Sequence, residues 1–220
     1  MAFVDFQTLV DGLVRDESGA VSENERDQAI NLAVVRYSTD RPRSAIEAIV
    51  GTGNLLDLPE DWALNFSSLQ AIWLPSDSGR VPLEGRLENT LAGLRIRLAE
   101  NLAAGTEVHV EYSILHEVTD LVDTVPVRDR EAVASWAAQL LLEQLSSLYS
   151  GHREPTIQGD TTDWQSKGRD YAARAKRLRE NYLNHLGIDP KRTVPCGAIV
   201  NFDLRDQLGG DRIVHKQRRR

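Results

Sequence analysis

Histidines are the side chains best suited to metal binding and acid–base catalysis, and this chain has five of them. They stand far apart in the sequence, at positions 109, 116, 152, 185 and 215. A local metal site needs closely spaced ligands, as in H-x-x-x-H or H-E-x-x-H, and neither pattern occurs. The sequence therefore predicts no metal site, although a cluster that only the fold brings together stays open.

The motifs for phosphate binding and for a nucleophile are also incomplete. Gly51-Thr52-Gly53 lacks the third glycine and the following helix of a phosphate loop, so we interpret it as a turn between strands. Ser150-Gly151-His152 lies in no G-x-S-x-G frame and is interpreted as the end of a helix. The single cysteine, Cys196, excludes an internal disulfide and a multi-cysteine metal site.

Carboxylates in predicted loops are the remaining candidates for acid–base work. We interpret them as solvated charges, because no cleft can be assigned to them: Glu60, Asp61, Asp120 and Asp123. Tyr149, Trp164 and Tyr171 could stack on bases, but aromatic residues at helical spacing are typical of a core. The sequence thus predicts no catalytic residue, no cofactor and no enzymatic activity.

Charge is distributed unevenly along the chain. The formal net charge is −7, yet residues 191–220 hold eight Lys or Arg against three Asp, which leaves −12 for residues 1–190. Phosphate binding needs basic patches, so the acidic part is not expected to coat nucleic acid. No apolar run approaches the roughly 20 residues of a membrane helix, and the first residues carry acids where a signal peptide is basic. We therefore expect that the protein does not associate with a membrane. We expect it to assemble in a cytoplasm.

The first 44 residues are predicted to form a helix hairpin. Apolar residues from Phe6 to Val14 recur at the spacing of one helix face. A second helix begins at Ser22, whose hydroxyl can form a capping box with Glu25, and it ends before Pro42. A short loop joins the two helices, so we expect them to pack against each other.

Residues 45–125 are predicted to be β-rich, because the apolar period changes to two and glycines and prolines separate short runs. Leu94–Leu98 and Val108–Tyr112 alternate cleanly, with Ala103–Thr106 between them. We interpret the two runs as an antiparallel pair whose outward residues are Arg95, Arg97, His109 and Glu111.

Residues 126–187 are predicted to be a long helix hairpin that completes the helical body. Its first helix, over residues 128–149, has a wide apolar stripe, and its second, from about Thr162 to Leu186, has a near-heptad seam. Residues 188–220 are an extended basic C-terminal arm. The predicted fold class is α+β: a four-helix body with a small antiparallel β insertion between its second and third helices, followed by the arm.

Several segments together resemble one protein family. They are RDQAINLAVVRYSTDRPR at 26–43, EQLSSLYSG at 143–151, QSKGRDYAARAKRLRENYLNHLG at 165–187 and the following DPKR. These segments are similar to the head-to-tail adaptor proteins of tailed bacteriophages, also called connector or head completion proteins. The similarity covers about half of the chain, and the smaller members of the family lack a β unit such as residues 45–115.

The resemblance implies a structural virion protein of the phage neck. It implies a homo-oligomeric ring of twelve copies that binds under the portal protein and joins the capsid to the tail. The ring would extend the channel through which genomic DNA passes without sequence-specific binding, and the next neck protein or a tail terminator would bind below it. We expect the arm to contact the portal through apolar and basic side chains: Ile199, Val200, Phe202, Leu204, Arg212, Ile213, Lys216, Arg218, Arg219 and Arg220.

Three other functions stay open. Another neck or tail component, such as a stopper or tail terminator, would also form an acidic ring, although such parts are generally β-rich. An enzyme would need a convergent polar pocket. A DNA-binding regulator would need a basic recognition helix, whereas the second helix holds only Arg26 and Arg36 against Glu23, Glu25 and Asp27.

Overall fold

The computed structural model describes residues 2–16, 19–76, 79–150 and 164–189. In chain order, its elements are α1 (Ala2–Val14), α2 (Glu23–Asp40), β1 (Arg43–Leu56), β2 (Leu69–Ser76), β3 (Gly79–Pro82), β4 (Gly85–Thr90), β5 (Gly93–Ile114), a 3-10 turn (Val127–Asp129), α3 (Arg130–Ser150) and α4 (Trp164–Leu186). None of the described helices is long and apolar enough to cross a membrane.

The helices build one hydrophobic core around α3. Eleven α3 residues are buried, among them Val133, Leu141 and Leu142, and the packing stripes of α1, α2 and α4 join the same cluster. The capping box predicted at the start of α2 is confirmed, since the Ser22 hydroxyl accepts from the Glu25 amide and the Glu25 carboxylate accepts from the Ser22 amide. Such a cap stabilises a helix by about 0.5–2 kcal/mol.

The sheet builds a second core. Its strand order is β1-β5-β2-β3, with β4 pairing separately with β5, and all pairings are antiparallel. Alternate residues of β5, including Ile96, Val108 and Val110, are fully buried on the inner face. The residues between them, such as Arg97 and His109, are partly exposed, as the period-two pattern predicts.

The predicted fold class is wrong. The β region is not a small insertion in a four-helix body, because its strands include one of 14 and one of 22 residues and nine buried residues form its own cluster. The predicted pair of Leu94–Leu98 with Val108–Tyr112 is also wrong. Both runs belong to the single long strand β5, where the first pairs with β4 and the second with β1 and β2.

The reason why Leu94–Leu98 and Val108–Tyr112 do not pair with each other lies at the Ala103–Thr106 turn. The Thr106 hydroxyl donates to the Ala103 carbonyl at 2.8 Å, and Gly105 has a φ of 78°. This local turn is accommodated as an irregularity within β5, where the register with β1 shifts, instead of reversing the chain. The domain boundaries predicted after residues 44, 125 and 187 stay predictions.

Candidate functional site

The three described histidines occupy two separate places. On the outer face of β5, His109 lies 3.0 Å from the Glu107 carboxylate and edge-on to Trp73, whereas His116 and His185 lie at the end of the helical core. His152 and His215 are outside the described residues. Within the part of the chain that the structure describes, no three His, Cys, Asp or Glu side chains are grouped so that they could hold a metal ion.

A buried carboxylate, Asp129, gathers the principal polar cluster. Only 1% of Asp129 is exposed, in the 3-10 turn that leads into α3. The Tyr37 hydroxyl donates to its Oδ2 at 2.6 Å, the Arg41 guanidinium donates to the same oxygen at 3.2 Å, and His185 Nε2 donates to Oδ1 at 2.8 Å. The cluster therefore ties the end of α2 and the end of α4 to the start of α3.

The charged form of Asp129 is favoured in this setting. Burial by itself raises the pKa of the carboxyl, but hydrogen bonds from Tyr37 and His185 and the charges of Arg41 and Arg128 outweigh it, so the net pKa is lowered. Burial and the bond to Asp129 raise the pKa of Tyr37 to about 12. Tyr37 thus stays a neutral donor, as a structural hydrogen bond requires.

His116 closes the same end of the helical core from the connection after β5. Its backbone amide donates to the buried Ser38 hydroxyl at 2.9 Å, and its ring nitrogens lie 2.9 Å from the Thr124 carbonyl and 3.0 Å from the Arg41 carbonyl. Arg41 also donates to the Leu186 carbonyl at 3.4 Å. These contacts fix the connection between α2 and β1, where the helical core meets the sheet.

A second hydrogen bond joins α4 to α2 beside this cluster. The Tyr182 hydroxyl donates to Asp40 at 2.7 Å, and the same Asp40 oxygen accepts from Arg36 at 2.8 Å. The Arg36 guanidinium lies over the ring of Trp136, 5.2 Å from its centroid. Burial and the bond to Asp40 raise the pKa of Tyr182.

The polar groups of the whole site are hydrogen-bonded to one another. Such an arrangement suits a rigid connection between helix ends better than proton transfer to a substrate.

Two interpretations of loop segments are wrong. Gly51–Gly53 is not a turn between strands but part of β1, at a register shift against β5. Asp123 is not a solvated charge, because its side chain is 7% exposed and it forms a short ion pair with Arg130. Asp120 is exposed, as predicted.

The aromatic residues are placed as the helical pattern predicts. Tyr149 is buried and stacks on Tyr171, with ring centroids 5.5 Å apart. The side chain of Trp164 is outside the described residues, as is Cys196. All ten arm residues predicted to contact the portal, from Ile199 to Arg220, lie outside the described residues as well.

Sequence reasoning missed the Asp129 cluster. Asp129 stands in the run Arg128-Asp129-Arg130-Glu131, which reads as a solvated helix start. The partners Tyr37 and Asp129 are 92 residues apart, so no local pattern links them. The nearest available signal was Tyr37 itself, an aromatic residue with a polar tip on a buried helix face, whose hydroxyl requires a partner.

Comparison with known proteins assigns no family. No protein-family model and no curated protein matches the chain. A chain in the solved structure of the neck of an empty gene transfer agent particle, computed with C6 symmetry, is similar over 78% of this chain and 88% of that chain. The identity is 17% and the TM-score is 0.27, which is too low to indicate a shared fold.

Proposed function

We propose that this chain is a structural component of the tailed-phage neck, a head-to-tail adaptor that forms a ring under the portal, extends the DNA channel and joins the capsid to the tail. The observation that carries the proposal is the sequence resemblance of residues 26–43, 143–151 and 165–187 to adaptor proteins. The described parts of these segments lie mainly in α2, the end of α3 and α4, whose buried residues share one core. The family-like residues are therefore neighbours in space.

Two further features support a structural role. The polar cluster around Asp129 holds the ends of α2 and α4 to the start of α3, which is a structural role. The charge of −12 over residues 1–190 suits the wall of a channel that must let DNA slide without holding it. In this proposal, the arm residues from Ile199 to Arg220 dock on the portal, and the next neck protein or a tail terminator binds the opposite side of the ring.

The test is electron microscopy of the purified full-length chain mixed with portal rings from the same phage. We expect a coaxial ring of twelve copies on one side of the portal, and loss of binding when residues 191–220 are deleted. Absence of any complex with the portal would contradict the adaptor function. Binding that survives the deletion would instead favour contact of Arg218, Arg219 and Arg220 with the DNA end.

A stopper or tail terminator is the second candidate, and the five-stranded sheet with its own core favours it over a purely helical design. Those components would bind a preformed neck or the tail end and not the bare portal. Comparing binding to portal alone with binding to portal already carrying its adaptor discriminates between the two functions.

A further inference from the structure

Three exposed cations of α4 have no carboxylate partner among the described residues. They are Arg169, Lys176 and Arg177. The ion pairs of the described residues instead join arginines of α2, the sheet and the start of α3 to carboxylates. Because α4 holds six Lys or Arg against only two acids, Asp170 and Glu180, its exposed side keeps an excess of positive charge.

The chain that precedes α4 is strongly acidic. The charge of −12 over residues 1–190 divides into −15 for residues 1–163, +4 for α4 and −1 for Asp189. Copies of a chain with such a charge repel one another unless unlike surfaces meet. The exposed side of α4 is the surface that can meet an acidic neighbour.

The outer face of β1 and β5 is an exposed surface of the opposite sign. Ile46 and Val50 on β1 are 53% and 69% exposed. They pair across the strands with Glu111 and Glu107 of β5, so the four side chains lie on one face. Among the described residues, neither carboxylate forms an ion pair with Lys or Arg, and His109 lies 3.0 Å from Glu107. The face thus combines uncovered apolar groups with carboxylates.

The basic residues of the sheet do not cancel this acidic character. Arg80 lies over the ring of Trp73, which pairs with His109 and therefore belongs to the same face. Arg80 stands on β3, the strand farthest from β1 in the order β1-β5-β2-β3. Arg95 and Arg97, at the other end of β5, are already in ion pairs.

The charges on the two surfaces have matching spacings. On α4, Arg169 and Arg177 are eight residues apart, which is about 12 Å along a helix, and Ala173 lies one turn from each. On β5, Glu107 and Glu111 are four residues apart, which is about 13 Å along a strand. The small Ala173 side chain allows the helix to approach the sheet closely, with an arginine near each carboxylate.

The two surfaces must be covered by another molecule. Both are exposed in one chain, so they do not cover each other. Complementary surfaces at different places on one chain produce a head-to-tail contact, which can close into a ring. A DNA backbone fits the α4 surface less well, because the acidic chain around it repels phosphates and because Ile46 and Val50 would stay uncovered.

We propose that the exposed side of α4 in one copy packs on the outer β1–β5 face of the next copy. Arg169 and Arg177 meet the two glutamates of β5. Ala173 and the aliphatic parts of the arginine side chains cover Ile46 and Val50. This contact is the subunit interface of the ring, so the inference rests on the proposed function for its biological setting.

Charge exchange between copies tests the interface. The helix variant carries Arg169→Glu and Arg177→Glu, and the sheet variant carries Glu107→Arg and Glu111→Arg. Each variant alone sets like charges against each other at every contact, so sedimentation velocity at low salt should show an association constant about tenfold lower or less than that of the natural chain. An equimolar mixture should assemble again, because every contact then joins unlike charges.

Two results would overturn the inference. One is a mixture of the two folded variants that associates as weakly as either variant alone. The other is a natural chain that stays monomeric at low salt, where charge pairs are screened least. Thermal unfolding of each variant establishes that it is folded before the mixture is assessed.

A matched control separates this surface from net charge. Arg86 on β4 has a side chain that is 78% exposed, and Arg86→Glu changes the net charge by the same amount as Arg177→Glu. Arg177→Glu should weaken association, whereas Arg86→Glu should leave it unchanged. Equal losses from the two variants would contradict the proposed contact.

Cross-linking gives an answer that does not depend on weakened association. Ala48 on β1 and Ala173 on α4 are both exposed and lie in the middle of their surfaces. In a Cys196→Ser background, Ala48→Cys combined with Ala173→Cys and a short bismaleimide should give a ladder of covalent multimers, while either cysteine alone should stop at dimers. A double-cysteine chain that also stops at dimers would refute head-to-tail packing.

Binding to a short DNA duplex tests the competing occupant. Fluorescence anisotropy should show no binding that depends on Arg169 and Arg177. Duplex binding that the helix variant loses, together with self-association that it retains, would assign the α4 surface to nucleic acid and overturn the inference. Portal binding, measured on the same samples, tests the adaptor function separately, because a chain can bind portal without forming this interface.

Discussion

Replacing Asp129 with Asn tests whether the buried charge holds the three helix ends together. The change is nearly isosteric, but an amide cannot accept in the same way from Tyr37, Arg41 and His185. Removing one partner of a buried charged network costs about 3–5 kcal/mol. Here the Arg41 and His185 side chains are 38% and 40% exposed and regain hydration, so we expect a loss of about 2–4 kcal/mol.

Thermal unfolding at neutral pH measures this loss. For a chain of this length, each kcal/mol corresponds to about 2–4 °C in Tm, so Asp129→Asn should lower Tm by about 4–16 °C. Tyr37→Phe is the matched control, because it removes one hydrogen bond and leaves the carboxylate with its cations. Its expected cost is smaller, about 1–2 kcal/mol.

The pH dependence separates charge from packing. The pKa of Asp129 is lowered in the folded chain from an ordinary value of 3.8, so its charge stabilises the fold above that value. The stabilisation is lost as the pH falls through the lowered pKa. The difference in stability between the natural chain and Asp129→Asn should therefore shrink below about pH 4. A difference that stays constant with pH, or one below about 0.5 kcal/mol at neutral pH, would refute this account of the joint.

Other substitutions have expected outcomes in thermal or urea unfolding. A Cβ on Gly51 would lie 2.2 Å from a methyl carbon of buried Leu56, so Gly51→Ala should destabilise the fold by about 1–3 kcal/mol. Gly12→Ala, at an open helix position, should stabilise it by about 0.5–1 kcal/mol. Changes of the same sign in the free energy of unfolding would contradict this pair of predictions. Ser22→Ala should cost about 0.5–2 kcal/mol through the lost cap, and no change would show that the cap is dispensable. Leu142→Ala, at a fully buried position, should cost about 2–5 kcal/mol, and a cost below 1 kcal/mol would mean that the core refills the cavity.

The helices could be predicted from the sequence because their signals are local. The capping box at Ser22 and the buried face from Ala29 to Tyr37 depend on residues within one or two turns of each other. The sheet was underestimated because strand partners are not encoded locally. Alternation in Val108–Tyr112 predicts a strand, but nothing in those residues selects β1 and β2 over Leu94–Leu98.

The candidate site likewise separates features that local sequence predicts from features that depend on partners distant in the sequence. Residue types and spacing predict no enzymatic activity, and this stays a prediction. The polar cluster around Asp129 could not be predicted, because the interactions of this carboxylate depend on its burial and on partners from α2 and α4.

The central position of β5 has a consequence for synthesis on the ribosome. Because β1, β2 and β4 all pair with β5, most of the sheet's ladder must wait until residues 93–114 have been made. Arg43 pairs with Ile114, so the first strand residue waits for the last. Pairing across such sequence distances is slow, and unpaired strand edges are prone to aggregation meanwhile. A ribosome pause before residue 114 should therefore reduce the soluble yield more than a pause after α3.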